Sequence, residues 1–165
     1  MIPQKVIFTE EECNQIINFS KIDYTNWDIK DRKYQSYAIT HNENTEWLFD
    51  RLKQFFEVET NQKIKNIKKT IHFHVFLNGS WFDVHNDERD NRVYGVGVLL
   101  NDNFTGGDFK FYDEKNTTLD KVQGNAYIFN VEINHEITPI VDGIRYSILW
   151  FLQRENINTN YNSLL

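Results

Sequence analysis

From Lys69 onward the chain falls into short runs with a period of two: "KTIHFHVFL", "SWFDVH", "VYGVGVLL", "GDFKFY", "NAYIFN" and "GIRYSILWFL". Successive side chains of an extended strand point to opposite faces, so each run describes a strand with two different sides. Turn residues separate the runs, among them Asn78-Gly79, Asp102-Asn103 and Gly106-Gly107, where glycine supplies a positive φ. The period before Lys69 is helical instead. In "TEEECNQIINFSK" Thr9 stands three residues before Glu12, a capping-box pattern, and Cys13, Ile16, Ile17 and Ser20 follow on one stripe. In "NTEWLFDRLKQFFEVET" the stripe is Trp47, Leu48, Leu52, Phe55 and Phe56, with Asn44 or Thr45 as the cap. These patterns predict helices near 10–20 and 45–59. Helices followed by many strands indicate an α+β, mainly β domain whose strands close as a sandwich or barrel.

A length of 165 residues suits one domain with its own core. The expected division is a helical buttress over about 1–68, a barrel over about 69–153 and a loosely attached polar tail over 154–165. The formal charge of −6 gives no attraction toward phosphate backbones or anionic membranes. Neither nucleic acid nor membrane is an expected partner. Cys13 is the one cysteine, which excludes an intrachain disulfide and a thiolate zinc cage and fits burial as a small apolar residue. A reducing, cytoplasmic location is expected, a host cytoplasm if heavy use of Asn, Lys and Ile marks a viral chain. The start "MIPQKVIFTEEE" has neither the basic nor the apolar region of a secretory signal, and no run approaches the roughly 18 apolar residues of a membrane span.

The chemistry concentrates in "SWFDVHNDERDN" and "NHEITPIVDGIRYSILWF". His85 and Asp87 at i and i+2 would share one face of a strand, and His135 follows well downstream. Two imidazoles and a carboxylate are the donors of the facial triad that suits non-haem Fe(II) and leaves open positions. The H-x-D spacing alone equally describes a pair on any strand surface. Ten residues beyond His135, Arg145 sits in an apolar run with Ser147, Leu149 and Phe151 on its face. A guanidinium inside a barrel must be paired, because an unpaired buried charge costs several kcal/mol. Its partner is either the carboxylate of a ligand or one of the chain's own acids.

Taken together, "HND", "NHEITPIVDGIRYS" and "LLNDNFTGGDFKFYD" resemble the prolyl 4-hydroxylase-like branch of the Fe(II)/2-oxoglutarate-dependent dioxygenases, over roughly residues 70 to 153. The resemblance implies a double-stranded β-helix, a jelly-roll barrel buttressed by the N-terminal helices. It implies that His85, Asp87 and His135 bind Fe(II), and that Arg145, helped by Ser147, binds the far carboxylate of 2-oxoglutarate. It implies hydroxylation of a C–H bond with O2, release of succinate and CO2, and ascorbate as a supporting reductant. The implied substrate is a prolyl residue in a peptide or protein; a free amino acid or other small molecule is the alternative, and a non-catalytic metal- or ligand-binding barrel serving as an interaction module is a different class.

Three positions depart from the branch's pattern. Phe76 and Leu99 stand where family members often carry tyrosines that touch the cosubstrate, and Phe151 replaces a tryptophan that lines the substrate site. Phe151 and the acidic composition also disfavour the DNA-repair branch, which carries a second arginine there. His72 and His74, again i and i+2, describe a second metal site, the polar face of a half-exposed strand, or part of a substrate mouth. Their parity with Phe76 turns them toward the barrel interior. Trp81, Phe82, His72 and His74 are the expected substrate walls, with Phe151 opposite. The segment from Asn86 to Arg92 and the region of His41 are expected to form a lid, since "HNDERDN" has little apolar matter to hold it down.

Overall fold

The computed structural model describes residues 1–19 and 34–158. Their elements are, in chain order, β1 (Gln4–Val6), α1 (Glu10–Phe19), β2 (Gln35–Thr40), α2 (Glu46–Thr60), β3 (Lys63–Ile64), β4 (Thr70–Phe76), β5 (Phe82–His85), β6 (Arg92–Leu99), β7 (Thr105–Gly106) and β8 (Phe109–Phe111). Then follow β9 (Asn125–Asn130), β10 (His135–Ile137), β11 (Ile140–Asp142), β12 (Arg145–Gln153), a 3-10 turn (Arg154–Asn156) and β13 (Ile157–Asn158). A six-stranded sheet in the order β1-β9-β6-β12-β4-β2 faces a three-stranded sheet in the order β5-β10-β8. Its pairings are antiparallel, as are those of the smaller sheet. The architecture is a jelly roll.

Period-two alternation sorts the large sheet into two faces. Ile71, Phe73 and Val75 of β4, Val96 and Val98 of β6, and Ile148, Trp150 and Leu152 of β12 are buried on the outer face. Cys13 and Ile16 of α1 and Leu48, Phe49, Leu52, Phe55 and Phe56 of α2 close over them. The helices therefore buttress this sheet, as the sequence implied. Residues of opposite parity, including Phe76, Leu99, Leu149 and Phe151, join Phe109, Phe111 and Ile137 of the smaller sheet in a separate inner cluster. Each fully buried aliphatic or aromatic side chain contributes roughly 1.5–3 kcal/mol through removal from water.

The two helix starts differ from one another. At α1 the expected capping box forms: the Thr9 N–H donates to Glu12 at 3.0 Å and the Glu12 N–H to the Thr9 hydroxyl at 3.1 Å. Arg51 of α2 reaches back to the same Glu12 carboxylate at 3.0 Å and to the Ile7 carbonyl at 2.8 Å, tying the helices together. At α2, Thr45 occupies the cap position but makes no side-chain cap bond. Its hydroxyl donates to the Thr40 carbonyl at 2.7 Å and accepts from the Asn42 N–H at 3.0 Å, so it fixes the turn out of β2 instead. Phe49, absent from the expected stripe, is fully buried and packs edge-on to Trp150, while Trp47 is half-buried beside Phe8.

Two expectations need correction. The region before residue 69 is not purely helical, because β1 and β2 form both edges of the large sheet. Nor is residue 154 the start of a loose tail. Asn156 accepts from the Gln153 N–H at 2.8 Å and donates to the Asn66 carbonyl at 3.1 Å, and buried Ile157 pairs with Ile64. Ser20 and residues 159–165 lie outside the described residues. Because Leu52 is fully buried between helix and sheet, Leu52→Ala should destabilise the protein by about 2–5 kcal/mol, read as a lower urea midpoint, while the folded variant keeps its metal affinity.

Candidate active site

The metal-binding candidates meet through one strand pair. His135 of β10 lies directly opposite His85 of β5 in an antiparallel register, and cross-strand partners project to the same side. Their ring centroids are 4.4 Å apart. Asp87 arrives differently from the expectation, because β5 ends at His85 and Asp87 stands in the following loop. Its N–H donates to the Val131 carbonyl at 2.9 Å, which anchors the loop next to the strand leading to His135. Asp87 Oδ2 lies 3.3 Å from His135 Nε2 and Oδ1 lies 3.8 Å from His85 Nε2. One donor atom from each of the three residues falls within 4.8 Å of the others, close enough to hold a metal ion.

The tautomers suit that role. His85 Nδ1 lies 2.6 Å from the Asp83 carbonyl and His135 Nδ1 lies 2.8 Å from the Ile133 carbonyl. A carbonyl only accepts, so both Nδ1 atoms carry the proton and both Nε2 atoms keep a lone pair for a metal. Burial, with His135 beside it, pushes the His85 imidazole down to about 4, so the ring is neutral at physiological pH. Burial opposes ionisation of Asp87, but the adjoining His135 and, after it, His85 outweigh burial and hold the carboxyl below its usual range. Two imidazoles and a carboxylate fit a divalent first-row metal such as Fe(II).

The triad opens into a cavity of about 400 Å³. His72, His74, Phe82 and Phe151 line it, and Ser147 faces it from β12. Trp81 does not: it is exposed, and its indole N–H donates to Asp83 at 2.9 Å on the outside of the barrel. β5 begins only at Phe82, so Trp81 stands just outside the strand that carries Phe82 to the cavity. Tyr34, which no sequence pattern singled out, completes the wall by stacking on Phe76 at 5.0 Å and packing against Phe82 at 4.7 Å. His41 lies elsewhere, edge-on to Phe49 at 5.0 Å under α2, and does not border the mouth. The lid expectation is narrowed too. Asp90 and Asn91 accept bonds from the Gln153 side chain and the Arg154 N–H, both at 2.9 Å, and the Arg92 guanidinium stacks on Phe151 at 3.8 Å.

Behind this cavity lies Arg145, only 2% exposed. It donates to the Ser147 hydroxyl at 2.8 Å, and its Nε is buried with no partner among the described residues. No ion pair among the described residues involves it, so the sequence alternative of an internal salt bridge is not what the structure presents. The phenol of Tyr127 also meets the guanidinium. Residues 71–153 match the 2OG-Fe(II) oxygenase superfamily.

The chain belongs to the 2OG-Fe(II) oxygenase superfamily. That membership implies iron and 2-oxoglutarate, and the triad supplies a site for the first. No curated protein sequence matches the chain. Solved structures that resemble it include a 2OG-Fe(II) oxygenase family oxidoreductase from Burkholderia pseudomallei, 15% identical, with a TM-score of 0.73 over 94% of this chain and 85% of that one. A Pseudomonas putida prolyl-4-hydroxylase is 15% identical, with a TM-score of 0.69 over 93% and 92% of the two chains. A prolyl hydroxylase from Trichoplax adhaerens, solved with a hypoxia inducible factor oxygen degradation domain peptide fragment, is 16% identical, with a TM-score of 0.71 over 94% and 84%. At these identities the likeness establishes the shared fold.

The oxygenase cavity carries its own acid sensitivity. Burial, reinforced by His72 and Arg145, pushes His74 down to about 3 from an ordinary 6.5. The ring's residual exposure is to the cavity, whose water softens the effect but not its direction. Below pH 6.5 the unfolded chain therefore protonates His74 while the folded chain does not. Protons bind the unfolded state more, so stability contributed here is present above 6.5 and is lost as pH falls toward about 3. The urea midpoint of the metal-free protein should fall on acidification below neutrality, and His74→Gln should make that fall shallower.

Proposed function

We propose that this oxygenase hydroxylates a C–H bond, first of all in a prolyl residue of a peptide or protein, using Fe(II), O2 and 2-oxoglutarate and releasing succinate and CO2. The observation that carries the reading is the buried Arg145, which has no carboxylate partner among the described residues, set behind a cavity that the His85, Asp87 and His135 triad opens into. A cation so placed is costly until an anion meets it, and the distal carboxylate of 2-oxoglutarate is such an anion. Bound iron would supply activation of O2 coupled to oxidative decarboxylation of 2-oxoglutarate. His85, Asp87 and His135 would hold that metal on one side and leave the side toward the cavity open.

The remaining residues bind, orient and exclude water. Arg145 offers a forked contact to the distal carboxylate, with Ser147 beside it. His74, neutral across the physiological range, adds a polar edge to the wall without adding charge. Tyr34, Phe82 and Phe151 supply apolar surface against which a substrate ring can pack, and the cation of Arg92 holds the Phe151 ring in place. The exposed Asn86 and Arg89 lie at the same opening and can close over a bound substrate. Support for a prolyl substrate comes from the shared fold of the Pseudomonas and Trichoplax enzymes and from the prolyl 4-hydroxylase-like motifs. The cavity volume also suits a free amino acid, which is the second candidate.

The test is aerobic incubation with Fe(II), 2-oxoglutarate, ascorbate and a panel of proline-containing peptides and free amino acids. Succinate should form, and mass spectrometry should show one candidate gaining a single oxygen. Absence of succinate under every condition, together with metal binding, would make the chain a binding barrel instead. In support, Asp87→Ala should abolish most of the Mn(II) affinity measured by calorimetry, because it removes a ligand and a negative charge together. Arg145→Lys keeps the charge but loses the fork, and should weaken 2-oxoglutarate binding by about 1–3 kcal/mol. Unchanged affinity in either variant would remove that residue from the site.

A further inference from the structure

The guanidinium of Arg145 has neighbours that are unusually selective about polarity. Across the sheet from Arg145 stands Phe76, and across from Ser147 stands Leu99, neither of which offers a hydrogen bond. Phe76 and Phe109 present ring faces to the guanidinium at 5.5 Å and 5.8 Å. The hydroxyls at the cation come instead from Ser147 and from Tyr127, on β9. Tyr127 is 2% exposed and borders both the main cavity and the smaller space that contains Arg145. It stands between the opening and the buried charge.

The position of the phenol depends on a glycine. Gly97 of β6 is the direct cross-strand partner of Tyr127, and a Cβ built on Gly97 would overlap the end of the Tyr127 ring and its hydroxyl oxygen. The ring therefore lies flat across β6 over the space that any other residue would fill. Gly95 and Phe129 repeat the arrangement two residues along, which makes the pattern Gly-x-Gly facing Tyr-x-Phe. An interior glycine in a strand weakens the strand unless something must come close to it. Here the thing that comes close ends in a hydroxyl, aimed at a cation.

We propose that Tyr127 is a second anchor for the distal carboxylate of 2-oxoglutarate, its O–H donating to the carboxylate that Arg145 pairs with, and that Gly97 is the residue that makes room for it. The inference rests on the reading of Arg145 given above. The hydroxyl serves in both directions: its oxygen accepts from the guanidinium and its proton remains available to an anion. Burial pushes the phenol up to about 12, against the pull of Arg145, so it keeps that proton at physiological pH. A neutral donor beside a fixed cation favours a ligand with a carboxylate at the far end over one that ends in a methyl group.

The experiment compares two ligands on the Mn(II)-loaded protein by calorimetry, which reads binding without turnover. 2-Oxoglutarate and 2-oxobutyrate offer the metal the same 2-oxo acid group, and only the first has a distal carboxylate. Tyr127→Phe keeps the ring and removes the hydroxyl. It should weaken 2-oxoglutarate about ten- to hundredfold, the loss of a hydrogen bond to a charged group, and leave 2-oxobutyrate and Mn(II) affinity unchanged. Gly97→Ala keeps the hydroxyl but displaces it, and should show the same selective loss. Equal 2-oxoglutarate affinity in Tyr127→Phe and the unaltered protein, or an equal loss for both ligands, overturns the assignment. If the unaltered protein binds Mn(II) but not 2-oxoglutarate, the proposed function fails and this inference with it.

Discussion

The two-faced central sheet governs the molecule, because β4, β6 and β12 each hold an apolar face against the helices and a mixed face against the smaller sheet. One register sets both. If β12 slipped by one residue, Arg145 and Ser147 would turn toward the α2 core and Trp150 toward the cavity. The outer face resists that slip: Ile148, Trp150 and Leu152 are fully buried, and the Trp150 indole donates to the Lys68 carbonyl at 2.8 Å. Packing on the solvent-remote side of the sheet thus holds the polar side in register, and the helices contribute to the site without touching it.

A second constraint is electrostatic. The cavity region gathers charges and potential charges in a largely buried setting, and each is handled separately. His74 stays neutral through burial, and His85 and His135 are oriented by backbone carbonyls that fix their protons on Nδ1. Asp87 keeps its negative charge because His135 and His85 flank it. Arg145 has no internal anion among the described residues and is met by hydroxyls and ring faces. The result is an interior whose charges remain incomplete without a cation at the triad and an anion at Arg145, which matches the pair of groups that the superfamily uses.

The helices and main strands were legible because amphipathic periods are local properties. The α1 capping box, the runs that became β4, β5, β6, β8, β9 and β12, and the inward parity of His72, His74, Arg145 and Ser147 could all be read from spacing. Several of the short elements could not. β7, β10 and β11 are two or three residues long, too short to show a period, and β2 lay in a stretch assigned to a helical buttress. Trp81 and Phe82 looked equivalent in the sequence, but the strand begins at Phe82, which lines the cavity, while Trp81 before it is exposed. Tyr34 and Tyr127 were missed for different reasons. Tyr34 lies just before an edge strand, and its place in the cavity wall is set by packing on Phe76, Phe82 and His74. Tyr127 had a visible signal, the glycines at 95 and 97 inside an otherwise bulky strand, but its meaning depended on knowing which strand lies opposite.

By itself the sequence determined the class of fold, the faces of its strands and, through resemblance, the residue types that a metal and a dicarboxylate would need, because these follow from local alternation and from motif chemistry. Tertiary structure alone decided that His135 stands opposite His85, that the Asp87 loop is tethered to Val131, and that Arg145 meets the phenol of Tyr127. Those facts are pairings between segments far apart in the chain. A side chain's period says which way it points, whereas only the closed barrel says what it points at.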